Sequence, residues 1–222
     1  MKDIPVIKGK FYLKRIIAEG EHEHQDFKFA ISDARKIARS ISAFANRSGG
    51  RLLIGVKDNG VIAGVRNEED IYVIEQAAQL YCNPEQKPDF TAIKAEEGAI
   101  VIRVDIPKAT KRPVQVREAD GSLKAYYRVA DENILATPLM VRAWRRKESD
   151  RPACLTLSDD ERLLIETVNA SGAISPADLM RRCMMSRRTT EELIINLFAV
   201  GVIDFRFIDR NFAVCPITPP EE

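Results

Sequence analysis

A pair of glycines, Gly49-Gly50, separates two segments whose apolar spacings belong to different elements. Before them, Ile37, Ile41, Phe44 and Ala45 recur at helical spacing, and Ser32 or Asp33 is placed to cap the first turn. After them, Arg51–Val56 is a short apolar run suited to a buried strand. Glycine ends a helix readily because it enters the left-handed region without a Cβ clash. The spacing therefore predicts a helix over about 33–47 that feeds directly into a strand. Asp58-Asn59-Gly60 is a turn signal, and Val61–Val65 is expected to return as a second arm. A chain that changes period in this way packs helix on sheet, so the expected class is α+β.

Other elements follow from the same signals. Phe27, Phe29 and Ile31 alternate over 26–31 and predict a strand. Residues 11–17 fit either a strand or a short helix. A helix is expected over 68–82, stopped by Pro84 and Pro88. Hairpins are expected for 91–96 with 99–106, and for 114–117 with 123–129. Thr137-Pro138 starts a helix to about 148, where the first domain, 1–148, is expected to end. The polar stretch Glu148–Ala153 is then a linker.

The remaining residues, 154–217, predict a smaller module. Ser158 with Glu161 forms a capping-box pattern before a helix over 159–170. Ser175-Pro176 starts a second helix and Ser186 a third, with a hairpin around Asp209-Arg210 after Gly201. That order is the order of a winged helix. In such a module the N-terminal end of the third helix enters the major groove. Here it carries Arg187, Arg188 and Thr189, with Arg181 and Arg182 just before and Arg206 and Arg210 on the hairpin. These are the candidate nucleic-acid contacts. A protein-interaction or dimerisation role is the alternative, since 151–222 hold eight basic and eleven acidic residues.

Composition narrows the classes. Of the 222 residues 45% are hydrophobic and 30% charged, enough for a folded core. There is no apolar run long enough for a membrane span and no signal-peptide core, so a cytoplasmic protein without a membrane partner is expected. The four cysteines are scattered, which fits free thiols in a reducing compartment. No Gly-x-x-x-x-Gly-Lys-Ser/Thr pattern is present, so ATP hydrolysis has no support. Net charge is +1, and any basic surface must be a local patch.

Chemistry concentrates in Glu21-His22-Glu23-His24-Gln25-Asp26-Phe27-Lys28. Acidic oxygen ligands suit Mg²⁺ or Mn²⁺, and Lys28, two residues from Asp26, falls on the same strand face. His22, His24 and Asp26 alternate and offer a second ligand set of transition-metal type. A solvated charged edge explains the same residues without chemistry. Asn46 and Gly49-Gly50 face a similar choice between capping a turn and meeting a ligand.

Taken with Ala43-Phe44-Ala45-Asn46, Gly49-Gly50, Leu53-Ile54-Gly55-Val56, Asp58 and Gly64, this cluster resembles the Schlafen-type AlbA-like domain of nucleic-acid-binding proteins. The match is dense over 21–64, and a looser tail runs from Pro113 through Tyr126-Tyr127-Arg128-Val129. The resemblance implies a mixed-sheet domain. In Schlafen-type ribonucleases three carboxylates form a metal-dependent cleavage site. The matching positions here are Glu21, Asp26 and Asp58, with Lys28 beside them to neutralise charge on a phosphate. Asp26 stands where glutamate is usual, which retracts the carboxylate by roughly 1.5 Å, one C–C bond.

The expectation is thus a nucleic-acid-binding protein with DNA or RNA as partner, specifically a DNA-binding transcriptional regulator. No cofactor is required for that role. The alternatives are an Mg²⁺- or Mn²⁺-dependent endoribonuclease and a protein-interaction module. A homo-oligomer is compatible with any of them.

Overall fold

A computed structural model describes residues 4–65, 69–95 and 98–217, and the chain divides into two compact units at Ala136/Thr137.

The first unit is mixed α+β. Its strands are β1 (Val6–Lys8), β2 (Gln25–Lys28), β3 (Gly50–Ile54), β4 (Cys82–Asn83), β5 (Asp89–Lys94), β6 (Ile100–Ile106), β7 (Gln115–Arg117), β8 (Leu123–Val129) and β9 (Glu132–Leu135). Helices α1 (Lys10–Ala18), α2 (Ala34–Asn46) and α3 (Glu69–Gln76) lie between them, and α3 continues as a π-helical turn over Ala77–Tyr81. One sheet has the order β1-β5-β6-β3-β2, with parallel outer pairs and antiparallel inner ones. The second, β4-β7-β8-β9, is antiparallel.

Strand alternation sorts the five-stranded sheet into two cores. Leu52, Ile54, Ile102 and Val104 face Ile37, Ile41 and Phe44 of α2. Phe27, Leu53, Ile93 and Val101 face Leu13 and Ile16 of α1. Helix α2 also packs on β7, β8 and β9, so it is covered by both sheets. Asp33 caps it, accepting from the N–H groups of Arg35 and Lys36.

Several expectations change. Residues 11–17 are helical. The strand at 26–31 is shorter, and Phe29 is exposed. Val61–Val65 does not return as a full arm. Only Val56 and Ile62 bridge, and the N–H groups of Ala63 and Gly64 both donate to Gly55 O at 2.9 Å. Glu68 and Glu96, at the edges of expected elements, lie outside the described residues.

The second unit holds α4 (Pro138–Lys147), α5 (Asp159–Ser171), α6 (Pro176–Arg182), α7 (Arg187–Ala199), β10 (Ile203–Ile208) and β11 (Asn211–Pro216). Helix α4 packs on α7: Arg142 bonds Glu191 at 2.6 Å and Lys147 sits over the Phe198 ring. The expected domain end at 148 therefore moves to 136, and Glu148–Ala153 lies within the second unit. Serines 158, 175 and 186 cap α5, α6 and α7 as their positions predicted. Asp209 and Arg210 both take positive φ, which turns β10 tightly into β11. Ile174 bridges Val214, adding a third extended segment.

All four cysteines are free, and burial pushes the Cys82 thiol up to about 12. Among the described residues no helix is long and apolar enough to cross a membrane.

Candidate nucleic-acid interface

Strand β2 places Asp26 and Lys28 on one face, as the two-residue spacing required, with Lys28 Nζ 2.7 Å from Asp26 Oδ2. The other oxygen, Oδ1, accepts from Arg128 Nη2 at 3.3 Å. Arg128 is 1% exposed. It also donates to Asn133 Oδ1 at 2.9 Å and to the carbonyls of Gln25 and His22, and it stacks on the Phe44 ring. Both Asp26 oxygens are thus engaged by cations.

Glu21 accepts from Phe27 N–H at 2.8 Å. Burial raises its carboxyl above the ordinary range, aided by a hydrogen bond to Asp26, while the Phe27 N–H and Lys28 oppose the shift. Glu21, Asp26 and Lys28 therefore come together. Asp58 does not join them; it stands exposed on the turn closed by Gly60 N–H to Lys57 O at 2.7 Å. Among the described residues no three His, Cys, Asp or Glu side chains form a metal-holding group. The expected Glu21–Asp26–Asp58 ligand set does not fit a divalent ion, because one carboxylate is spent on two cations and another is elsewhere.

Among the described residues His22, His24 and Asp26 form no metal-holding group either. His22 and His24 have ring centroids 6.1 Å apart and different partners. His22 Nδ1 accepts the His24 N–H, while His24 Nδ1 lies 3.2 Å from Gly49 O.

Asn46 is structural. Fully buried, its amide donates to Val114 O at 2.8 Å and Tyr126 O at 2.9 Å, and its oxygen accepts Val114 N–H at 2.8 Å. It ties the end of α2 to β7 and β8. The glycine pair is structural too. A Cβ on Gly50 would stand 2.3 Å from the Phe44 ring, and one on Gly49 would meet Ile106 O at 2.8 Å.

A further basic segment lies between β6 and β7. Between Asp105 and Glu118 the chain carries Lys108, Lys111, Arg112 and Arg117 and no carboxylate. The β6–β7 connection bearing the first three is fastened to the end of α2: Ala109 N–H donates to Ala45 O at 2.9 Å and Arg112 to Asn46 O at 3.2 Å.

In the second unit, Arg187 and Arg188 are 85% and 88% exposed on the first turn of α7, each bonded to the glutamate four residues on. Thr189 completes the Ser186 cap. Arg181 pairs with Asp178 and Arg182 donates to Ser171 Oγ at 3.1 Å. Arg206 and Arg210 are exposed on the hairpin.

The model of the Schlafen, AlbA_2 family matches residues 21–137, more than half of the chain. The chain belongs to the Schlafen AlbA_2 family. The match ends where the first compact unit ends, so that unit is the Schlafen AlbA_2 domain. Membership points to nucleic acid as the class of partner. No curated protein matches the chain. Among solved structures, the crystal structure of the DIP2311 protein from Corynebacterium diphtheriae is similar at 17% identity and a TM-score of 0.43. That similarity covers 86% of this chain and 34% of the other, so this chain spans about a third of that protein's length.

Proposed function

We propose that the chain is a nucleic-acid-binding protein acting as a DNA-binding transcriptional regulator, with the second unit a winged helix that presents α7 to the major groove. The observation that carries this reading is the exposure of Arg187 and Arg188, side by side at the N-terminal turn of α7. Arginine is suited to both guanine edges and phosphates. Both guanidinium groups lie in water, where phosphate oxygens can compete with the glutamates for them. The order of three helices, a bridging Ile174 and a hairpin supports the winged-helix assignment. Family membership supports nucleic acid as the partner.

A Schlafen-type endoribonuclease is the second reading. The engaged Asp26 and the separate Asp58 weigh against it. Incubating the full chain with labelled duplex DNA and with tRNA, in EDTA and in Mn²⁺, distinguishes the readings. Binding expects an uncut, retarded probe in both conditions. Metal-dependent fragments lost in Asp26→Ala and Asp58→Ala would replace binding with cleavage. No retardation of either probe would leave the protein-interaction reading.

A further inference from the structure

The face of the five-stranded sheet packed under α1 becomes polar along one row. In register across β2, β3, β6 and β5 stand Gln25, Arg51, Asp105 and Asp89, with Arg103 two residues from Asp105. Phe27, Leu53 and Val101 cover the same face where α1 packs. Charged side chains at positions whose pleat faces a core need a reason other than packing.

Arg51, Arg103, Asp105 and Asp89 line a pocket of about 310 Å³ that His24, Ser48 and Lys108 complete. Arg51 is held by Gln25 Oε1 at 2.6 Å and by Glu19, and Arg103 by Asp105 at 2.6 Å and the Tyr12 hydroxyl. Both guanidinium groups are therefore oriented before any ligand arrives. His24 Nδ1 lies 3.2 Å from Gly49 O and 3.3 Å from Ser48 Oγ, which holds the ring at the pocket's edge. Lys108 and Lys111, exposed on the anchored connection, make no ion pair among the described residues. Asp89 and Asp105 moderate the positive charge, which favours one phosphate group over a long anionic stretch.

We propose that this pocket and the Lys108–Arg112 connection form a phosphate site of the Schlafen AlbA_2 domain, seating a backbone diester or a terminal monoester of a nucleic acid. Lys108 and Lys111 supply the free charge, and Ser48 and Arg103 the directed donors. The proposal rests on the nucleic-acid reading above but uses a different unit from α7.

Two measurements on the full chain test it. In the first, the Cε1–Hε1 resonance of His24 is followed as inorganic phosphate is added; His22 is the only other histidine, so His22→Gln and His24→Gln assign both signals. A saturable shift at His24, absent in Lys108→Ala/Lys111→Ala, is expected. In the second, affinity for labelled oligonucleotides with a 5′-phosphate or a 5′-hydroxyl is measured across a salt series. The double variant is expected to lower the salt slope by about one, for the one phosphate the site seats. A preference for the 5′-phosphate assigns the monoester, and equal affinity the diester. Wild-type binding with an unchanged slope in the double variant and a flat His24 signal overturns the pocket and leaves the nucleic-acid reading standing. If the wild type binds no oligonucleotide, that reading falls. The phosphate site then survives only on the saturable His24 shift and its loss in the double variant.

Discussion

Arg128 Nη2 donates to Asp26 Oδ1 at 3.3 Å with both side chains buried, so the family's acidic position is joined to β8 by an internal cation. Losing Arg128 leaves Asp26 paired with Lys28 but takes the donor from its buried Oδ1, at a cost of about 1–3 kcal/mol. Arg128→Ala is expected to lower stability to urea by that amount. The double variant Asp26→Leu/Arg128→Met, which removes both charges, is expected to recover much of the loss. Equal losses in the single and double variants would mean that packing, not the pair, sets the cost.

Asn46→Ala leaves Val114 N–H without its acceptor in a dry site. An unsatisfied buried donor costs about 1–3 kcal/mol, and urea unfolding should show a loss in that range. Asn46→Asp keeps the acceptor but forfeits the donors to Val114 O and Tyr126 O, so it is expected to be no better.

Gly50→Ala should destabilise through the Phe44 ring, since overpacking costs about 1–3 kcal/mol. Phe44→Leu in the same chain is expected to relieve part of it. Thermal melts of the three proteins decide whether contact with Phe44 is the cause.

These variants mark what was legible in the sequence. Helix α2, the β5–β6 hairpin and the three serine caps rest on neighbours within a few residues, and local signals found them. Strand β9 was hidden because its turn uses Ala130 at positive φ instead of glycine or asparagine. Strand β1 pairs with β5, more than eighty residues away, and has only three residues to declare itself. Thr137-Pro138 marked the start of α4, but no local signal says which unit buries its Met140, Ala143 and Trp144. At the site, Asp26 and Lys28 followed from strand spacing. Arg128 lies 102 positions from Asp26, and no spacing rule reaches it.

Two carboxylates should respond to pH in opposite directions. The raised carboxyl of Glu21 means that the native state holds its proton more tightly than the unfolded chain. Its contribution to stability is present below the ordinary carboxylate range and is lost as pH rises through the raised value. Glu118 is the reverse: hydrogen bonds from Arg39 lead in lowering it, with help from Tyr126 and against some desolvation. Its contribution is present above the ordinary range and is lost as pH falls through the lowered value. Urea midpoints at pH 7 and pH 4 are expected to show Glu21→Gln neutral or stabilising at pH 7. Glu118→Gln is expected to be destabilising there and less so at pH 4.

The most direct test of nucleic-acid binding through α7 is the salt dependence of duplex DNA affinity, by fluorescence anisotropy, for the wild type and Arg187→Ala/Arg188→Ala. Saturable wild-type binding is predicted, with log affinity falling linearly in log salt and a slope smaller by about two in the double variant. No saturable binding by the wild type at about 50 mM salt, or the same affinity and slope in both proteins, would contradict it.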